Sequence, residues 1–340
     1  MAASETAWLD ELAETLTERG FLDRIGEPVF ERLTGGVSSD IWTISRGGRR
    51  LVVKRALAKL RVAQEWLAPV SRNAAEARYL AVAHAILPDA VPDVMLHDEA
   101  AGLFVMAYIP PDTAPVWKAQ LLKSEVDPAF AGAVGRIVGQ IHDATAGRPE
   151  IAEQFDNGQS FHALRVSPYL EATAQRHPDL AGRILDISRT TAETRLCLIH
   201  GDVSPKNILA GPEGPILLDA ECATFGDPAF DLAFCLNHLL LKGVRVPEAA
   251  ALEASFAALT EGYFAAAGIA DRTGTEGRAA ALLPALFLAR IDGKSPVEYI
   301  TDDADKELVR RVAAEFIRSP TSRLSDISGR WREALQERQA

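Results

Sequence analysis

The chain has 340 residues, 36 Lys+Arg against 47 Asp+Glu, and a formal net charge of -11. With 48% hydrophobic and 24% charged residues it reads as an ordered globular protein, and its length predicts about two domains or one bilobed unit. The acidic total excludes a nucleic-acid binder with a uniformly basic surface, and three scattered cysteines exclude a disulfide framework or a CxxC zinc site.

Cys197, Cys222 and Cys235 instead read as small buried hydrophobes in a reducing compartment. The acidic start (Glu5, Asp10, Glu11, Glu14, Glu18) is neither a signal nor a transit peptide. The uncharged run Ala279 to Ala289 is too short for a bilayer and holds Pro284. The expected compartment is the cytoplasm, without a membrane partner.

In chain order, Trp8, Leu9, Leu12 and Leu16 form a helical stripe closed by Gly20. Val29-Phe30, Ile41 to Ile44 and Leu51 to Val53 are short β-branched runs parted by Gly pairs, which predicts an antiparallel meander. Ser71 can cap a helix through Tyr79 and Leu80 to about Leu87, before Pro88. Strands near Val94 to Leu96 and over Leu103 to Ile109 follow, and Pro110-Pro111 ends the sheet-rich part. Helices are expected at 127–146, 167–175, 179–193, 229–241, 247–267, 276–292, 304–318 and 323–338, interrupted by a strand-rich block at 195–221. The layout is α+β, with an N-terminal helix (1–26), a five-stranded antiparallel sheet lobe with one helix (27–109), and a large helical lobe (110–340).

One local exception to the acidic balance runs from Arg46 to Arg78, with nine basic residues and two acidic ones. It reads either as an anion site or as solvated strand and helix faces.

Polar chemistry concentrates in Leu198-Ile199-His200-Gly201-Asp202-Val203-Ser204-Pro205-Lys206-Asn207-Ile208-Leu209. Flanking apolar residues place Asp202 and Asn207 on a turn between short strands. Ile216 to Glu221 then forms an apolar run ending in Asp219 and Glu221. Three oxygen-bearing side chains at strand ends suit a hard cation such as Mg²⁺, leaving Asp202 able to accept a proton. A lone His-Gly-Asp is also an ordinary Asx turn.

His-Gly-Asp-x4-Asn, then Leu-Asp-x-Glu, then Gly226-Asp227-Pro228-x-x-Asp231 together resemble the aminoglycoside phosphotransferase and choline kinase family, whose fold is protein-kinase-like. The resemblance implies an ATP- and Mg-dependent kinase acting on a small hydroxylated molecule: a sugar, an amino alcohol or an aminoglycoside. It implies Asp202 as catalytic base, Asn207 and Asp219 as metal ligands, and Glu221 as an auxiliary ligand or water anchor. Asp231 would tie the loop to the next helix, and His200 would pack against the metal strand. For the nucleotide it implies Gly35, Gly36, Ser38 and Ser39 at the first strand turn and Lys54 on the third strand, held by Glu76. Met106, Ala107, Tyr108 and Ile109 would form a hinge strand against adenine. Taken singly, these are also a hairpin turn, a strand-end lysine, an exposed helical acid and a buried strand. Lys54 would face phosphates, with Arg46, Arg49 and Arg50 flanking a turn in solvent.

Lys54-Arg-Ala56, Arg61-Val62, Trp66, Arg72 and Glu76 also resemble methylthioribose kinases, although Asn207 and Ser204-Pro205-Lys206 depart from their loop. Protein kinases fit less well: His-Arg-Asp, Asp-Phe-Gly and Ala-Pro-Glu are missing, and Asp219 and Asp231 are too close for a long activation segment. A nucleotide-binding regulator without turnover is the rival of another class. Gly293-Lys294-Ser295 mimics a P-loop tail without its first glycine and reads as a helix end. Arg290, Asp292 and Lys294 could still border the acceptor pocket.

Overall fold

The computed structural model describes residues 7–33, 39–57, 72–268 and 271–339. The chain divides into two compact units between Pro110 and Pro111.

In the first unit, α1 (Ala7–Glu18) precedes β1 (Val29–Leu33), β2 (Ser39–Arg46), β3 (Arg49–Ala56), α2 (Arg72–Ile86), β4 (Val94–Asp98) and β5 (Leu103–Ala107). The strands form one antiparallel sheet in the order β1-β2-β3-β5-β4. The first three make the expected meander, and β5 then inserts between β3 and β4. Strand alternation decides the rest. Leu51 and Val53 of β3 join Leu9, Leu12, Leu16, Trp42, Ile44 and Val105 in one core cluster, while Lys54 meets α2.

Arg46, Arg49 and Arg50 flank the Gly47-Gly48 turn between β2 and β3 as expected, with Arg49 exposed and Arg46 and Arg50 partly buried, and the basic island adds local ties. Arg46 bonds Glu14 of α1 at 2.8 Å and the Gly26 carbonyl at 2.9 Å. Arg49 donates to the Gly20 carbonyl at 2.9 Å, Arg50 pairs with Glu31 and lies 4.6 Å from the Tyr108 ring, and Arg78 pairs with Glu99 at 2.7 Å. Lys59, Arg61 and the Ser71 cap lie outside the described residues.

The second unit is mainly helical, with α3 (Trp117–Leu122), α4 (Pro128–Thr145), α5 (Pro149–Gln154), α6 (Gly158–Phe161), a π-helical segment (His162–Glu171), α7 (Ala172–Arg176) and α8 (Ala181–Glu193). β6 (Cys197–Ile199), β7 (Ile208–Gly211), β8 (Gly214–Leu217) and β9 (Thr224–Gly226) follow, then α9 (Pro228–Lys242), α10 (Ala249–Ala266), α11 (Arg272–Asp292), α12 (Asp303–Arg318) and α13 (Leu324–Gln339). The longer helices start and stop within a few residues of their expected limits. The segment expected as a helix over 167–175 differs. Pro168 lacks an N–H, and the chain widens into a π-helix that starts at His162.

α9 is buried on every face and runs through the centre of this unit. Asp227 caps it by accepting from Ala229 N at 3.0 Å, with Pro228 at its first position. Glycines let α4 and α10 touch backbone to backbone: a Cβ on Gly135 would sit 2.1 Å from the Leu259 carbonyl oxygen. That approach brings His142 and Tyr263 together, with the Tyr263 hydroxyl donating to Nδ1 at 3.0 Å. The three cysteines are buried free thiols. No helix among the described residues is long and apolar enough to cross a membrane.

Candidate active site

β6 ends at Ile199, and the chain turns through His200-Gly201-Asp202 before a 3₁₀ turn (Pro205–Asn207) feeds β7. Gly201 makes the corner at φ +74°, where an L side chain is strained; a Cβ there would also lie 2.6 Å from the Cys222 carbonyl oxygen. Asp231, in the first turn of α9, fixes this corner. Its Oδ2 accepts from His200 N at 2.7 Å and its Oδ1 from Gly201 N at 2.8 Å. His142 donates from Nε2 to the same carboxylate at 3.2 Å. A 1% exposed acid thus holds two backbone N–H groups, the tie expected of it.

His200 fills the space behind the turn. Its Nδ1 accepts from Asp202 N at 3.2 Å and its Nε2 donates to the Leu218 carbonyl at 3.1 Å. Burial pushes the imidazole below its ordinary value, so it stays neutral and serves as a spacer between the loop and the segment after β8 that carries Asp219.

Asp202 is 1% exposed. Three donors converge on its Oδ2: Arg165 Nη2 at 2.8 Å, Lys206 Nζ at 3.1 Å and Asn207 Nδ2 at 2.7 Å. None of the described residues donates to Oδ1. Burial alone would raise this carboxyl, but Arg165 and then Lys206 outweigh it and hold the group below its ordinary value. The carboxylate is therefore ionised at neutral pH with one oxygen anchored and the other open. Asp202 in turn raises the Lys206 ammonium against the effect of burial.

Arg165 is the residue that sequence reasoning missed. It sits in the π-helical segment, donates from Nε to the Gly201 carbonyl at 2.7 Å and from Nη1 to the Leu164 carbonyl at 2.8 Å, and stacks near Tyr169 and Phe234. Nothing in its neighbours along the chain marks it; only an arginine in a segment of mixed polarity could have drawn notice.

Asn207 is oriented by chemistry. Its Nδ2 faces two acceptors, Asp202 Oδ2 and the Asp202 carbonyl at 3.1 Å, so the amide oxygen must point away. No described residue donates to that oxygen. Leu218 N donates to the Asn207 carbonyl at 2.9 Å, which brings the next residue, Asp219, up to the loop. Asp219 has φ +67°, a left-handed conformation uncommon outside glycine and concentrated at functional positions. Glu221 is half-buried two residues on.

In the first unit Lys54 and Glu76 are 3% and 1% exposed, and Lys54 Nζ lies 2.9 Å from Oε1 and 2.7 Å from Oε2 of Glu76. Asn73 Nδ2 donates to the Lys54 carbonyl at 3.2 Å, tying strand to helix. Ser39 begins β2 and is buried; Gly35, Gly36 and Ser38 lie outside the described residues. Met106 and Ala107 end β5, with Tyr108 and Ile109 half-buried beyond it. The Ala107 N–H is spent on the Asp93 carbonyl at 2.9 Å.

At the end of α11, Gly293 N donates to the Ala289 carbonyl at 2.8 Å, so Gly293-Lys294-Ser295 is a helix end and not a phosphate loop. Asp292 takes Arg310 through two 2.8 Å contacts and His177 at 2.9 Å, and Lys294 is exposed.

The family model of the phosphotransferase enzyme family matches residues 29–269. Methylthioribose kinase of Bacillus mycoides (strain KBAB4) is 22% identical over 260 residues, which cover 68% of this chain and only 65% of that protein. Among solved structures, a choline/ethanolamine kinase family protein from Mesorhizobium loti aligns over 97% of this chain and 99% of its own, with a TM-score of 0.51 and 19% identity. Amicoumacin kinase hAmiN in complex with AMP-PNP, Ca²⁺ and Ami aligns over 95% and 98%, with a TM-score of 0.55 and 14% identity. At such identities the likeness is one of fold.

Proposed function

Given that the chain belongs to the phosphotransferase enzyme family, matched over more than half its length, we propose that it transfers the γ-phosphoryl group of ATP to a hydroxyl of a small molecule. The observation that carries this reading is Asp202: buried, held ionised, its Oδ2 fixed by three donors and its Oδ1 left for a substrate. A general base needs that combination of correct protonation and fixed direction.

The acceptor hydroxyl donates to Oδ1 of Asp202. As the acceptor oxygen bonds to the γ-phosphorus and the bond from that phosphorus to the β-bridging oxygen breaks, the proton passes to Asp202 and ADP departs. Lys54, oriented by Glu76, binds the α- and β-phosphates, with Gly35, Gly36, Ser38 and Ser39 as the further phosphate-binding residues of this reading. Met106 and the backbone of Ala107 to Ile109 border the adenine, the Ala107 N–H being already committed.

The amide oxygen of Asn207 and the carboxylate of Asp219 are the groups suited to hold Mg²⁺, with Glu221 as a water anchor. The Asn207 oxygen has no donor among the described residues, and no three His, Cys, Asp or Glu side chains there converge on one point. Two protein ligands completed by phosphate oxygens and water is the usual Mg²⁺ arrangement. Bound there, the ion neutralises phosphate charge. ATP supply makes the cytoplasm the natural site of this reaction.

The test is Asp202→Ala in a coupled ADP-release assay, with Mg-ATP binding followed by titration calorimetry. The expected outcome is a kcat lower by about 10²–10⁴-fold with nucleotide affinity little changed. Normal turnover in the variant would remove Asp202 from the chemistry. Nucleotide binding by the parent protein with no transfer to any sugar, amino alcohol or aminoglycoside would favour a regulator instead.

A further inference from the structure

α9 leads away from the catalytic corner, and positions 231, 234, 238 and 242 form one stripe along it at helical spacing. Asp231 holds the corner. The Phe234 ring lies 5.8 Å from the Arg165 guanidinium, and His238 packs edge-on against Phe234 at 5.3 Å. Lys242 closes the stripe at 1% exposure. Among the described residues its ammonium makes one hydrogen bond, of 3.3 Å to the His238 carbonyl, and it lies 5.2 Å from the Tyr299 ring.

Arg290 of α11 enters the same region and is 9% exposed. Its Nη1 donates to the Tyr169 hydroxyl at 3.1 Å and to Ser295, while its Nε has no hydrogen-bond partner among the described residues. The Arg165 and Arg290 guanidinium groups lie 5.9 and 5.6 Å from the same Tyr169 ring, so this cluster is continuous with Asp202.

Among the described residues no carboxylate pairs with Lys242 or Arg290. Glu298, whose charge reaches Lys242, is already paired with Lys118. The imidazole nitrogens of His238 take no hydrogen bond from the described residues.

Burying a cation without a counter-ion is costly, and the cost is evident here. Burial, then Lys118, push the Lys242 ammonium down to about 7. Burial and the surrounding cations Arg290, Lys242, Lys206 and Lys118 hold His238 well below its usual range. Two buried cations with no carboxylate partner among the described residues, in a cluster that reaches the catalytic carboxylate through Tyr169 and Arg165, are what a bound anion would satisfy.

We propose that the acceptor carries an anionic group, carboxylate or phosphate, seated against Lys242, Arg290 and His238 while its hydroxyl meets Oδ1 of Asp202. The assignment rests on the phosphotransfer reading above and narrows its acceptor class. Along α9, His238 and Lys242 stand about 6 and about 12 Å beyond Phe234, so the anion sits at the end of the acceptor remote from the reacting hydroxyl. A cationic amine such as choline would meet like charge there.

The test measures coupled ADP release by the full chain on matched acceptors: ribose against ribose 5-phosphate, glucose against gluconate, and choline. The expected result is a kcat/KM at least about tenfold higher for the anionic member of one pair, a discrimination that a built charge-recognising site readily supplies. The phosphate and carboxylate arms then tell the two anions apart. Lys242→Met and Arg290→Gln should erase that ratio, chiefly through KM. Lys242→Arg, which keeps the charge, should retain it and separates loss of the anion site from loss of the fold.

Preference for choline or for the neutral member, or a ratio unchanged in both variants, overturns the acceptor assignment while the transfer itself upholds the kinase reading. Thermal unfolding with millimolar inorganic phosphate reads the site without turnover. A midpoint raised in the parent protein but not in Lys242→Met supports the site even if every acceptor fails and the kinase reading falls. An equal response in the two overturns it.

Discussion

Replacing Arg165 with leucine removes the fork that anchors Asp202 Oδ2 at 2.8 Å and the Gly201 carbonyl at 2.7 Å. The carboxylate left behind is 1% exposed and keeps only Lys206 and Asn207. Breaking a buried ion pair from one side costs about 3–5 kcal/mol, because the surviving charge stays out of water. In a unit of roughly 200 residues each kcal/mol moves the melting midpoint by about 2–4 °C, so the expected fall is roughly 6–20 °C.

The same change moves the acid limb of activity. In the parent protein Asp202 lies below its ordinary value of 3.8, so its contribution to stability is complete above that value. It is lost only as pH falls through the lower folded value. Without Arg165, burial is opposed chiefly by Lys206 and the carboxyl moves up. The acid limb of kcat/KM should then shift to higher pH, as read by coupled ADP release at matched ionic strength. A midpoint within about 2 °C of the parent and an unmoved acid limb would refute the role given to Arg165.

Two further outcomes follow from the geometry. Glu76→Ala leaves Lys54 buried without the carboxylate that holds it at 2.7 Å, which should cost about 3–5 kcal/mol in thermal or urea unfolding and raise KM for ATP more than it lowers kcat. An unchanged KM would detach this pair from nucleotide binding. Gly201→Ala places a Cβ 2.6 Å from a backbone oxygen at a left-handed φ, adding about 1–2 kcal/mol of conformational cost before the clash is relieved. It should lower kcat by displacing Asp202, and a fully active, equally stable variant would show that the corner is pliable.

Helix positions were legible because their amphipathic stripes and punctuation are local: Asp227-Pro228 starts α9, and Gly293 ends α11. The catalytic corner was legible for the same reason. His200, Asp202 and Asn207 lie within eight residues, and Asp231 reaches back only to the N–H groups of His200 and Gly201. Chain spacing there is nearly spatial spacing. The strand pairings were harder to read, since β6 pairs with β9 (Thr224–Gly226), beyond the limit that the apolar pattern suggested. Two-residue alternation along β3 set which face Lys54 would take, but its meeting with Glu76 required α2 to pack on that face.

What the sequence determined by itself was the order of elements, the family resemblance and the residues of the Asp202 loop, all properties of short windows. Tertiary structure alone decided how that chemistry is tuned. Arg165 reaches Asp202 only because a π-helix 37 residues upstream folds over the loop. The arginines of the basic stretch found their partners in α1, β1 and the loop before β5. Lys242, Arg290 and His238, separated by up to 52 residues, became a buried cationic group only when α9 and α11 packed together. Charge density along a chain is a local count, whereas the free energy of a charge depends on the burial and partners that the fold assigns to it.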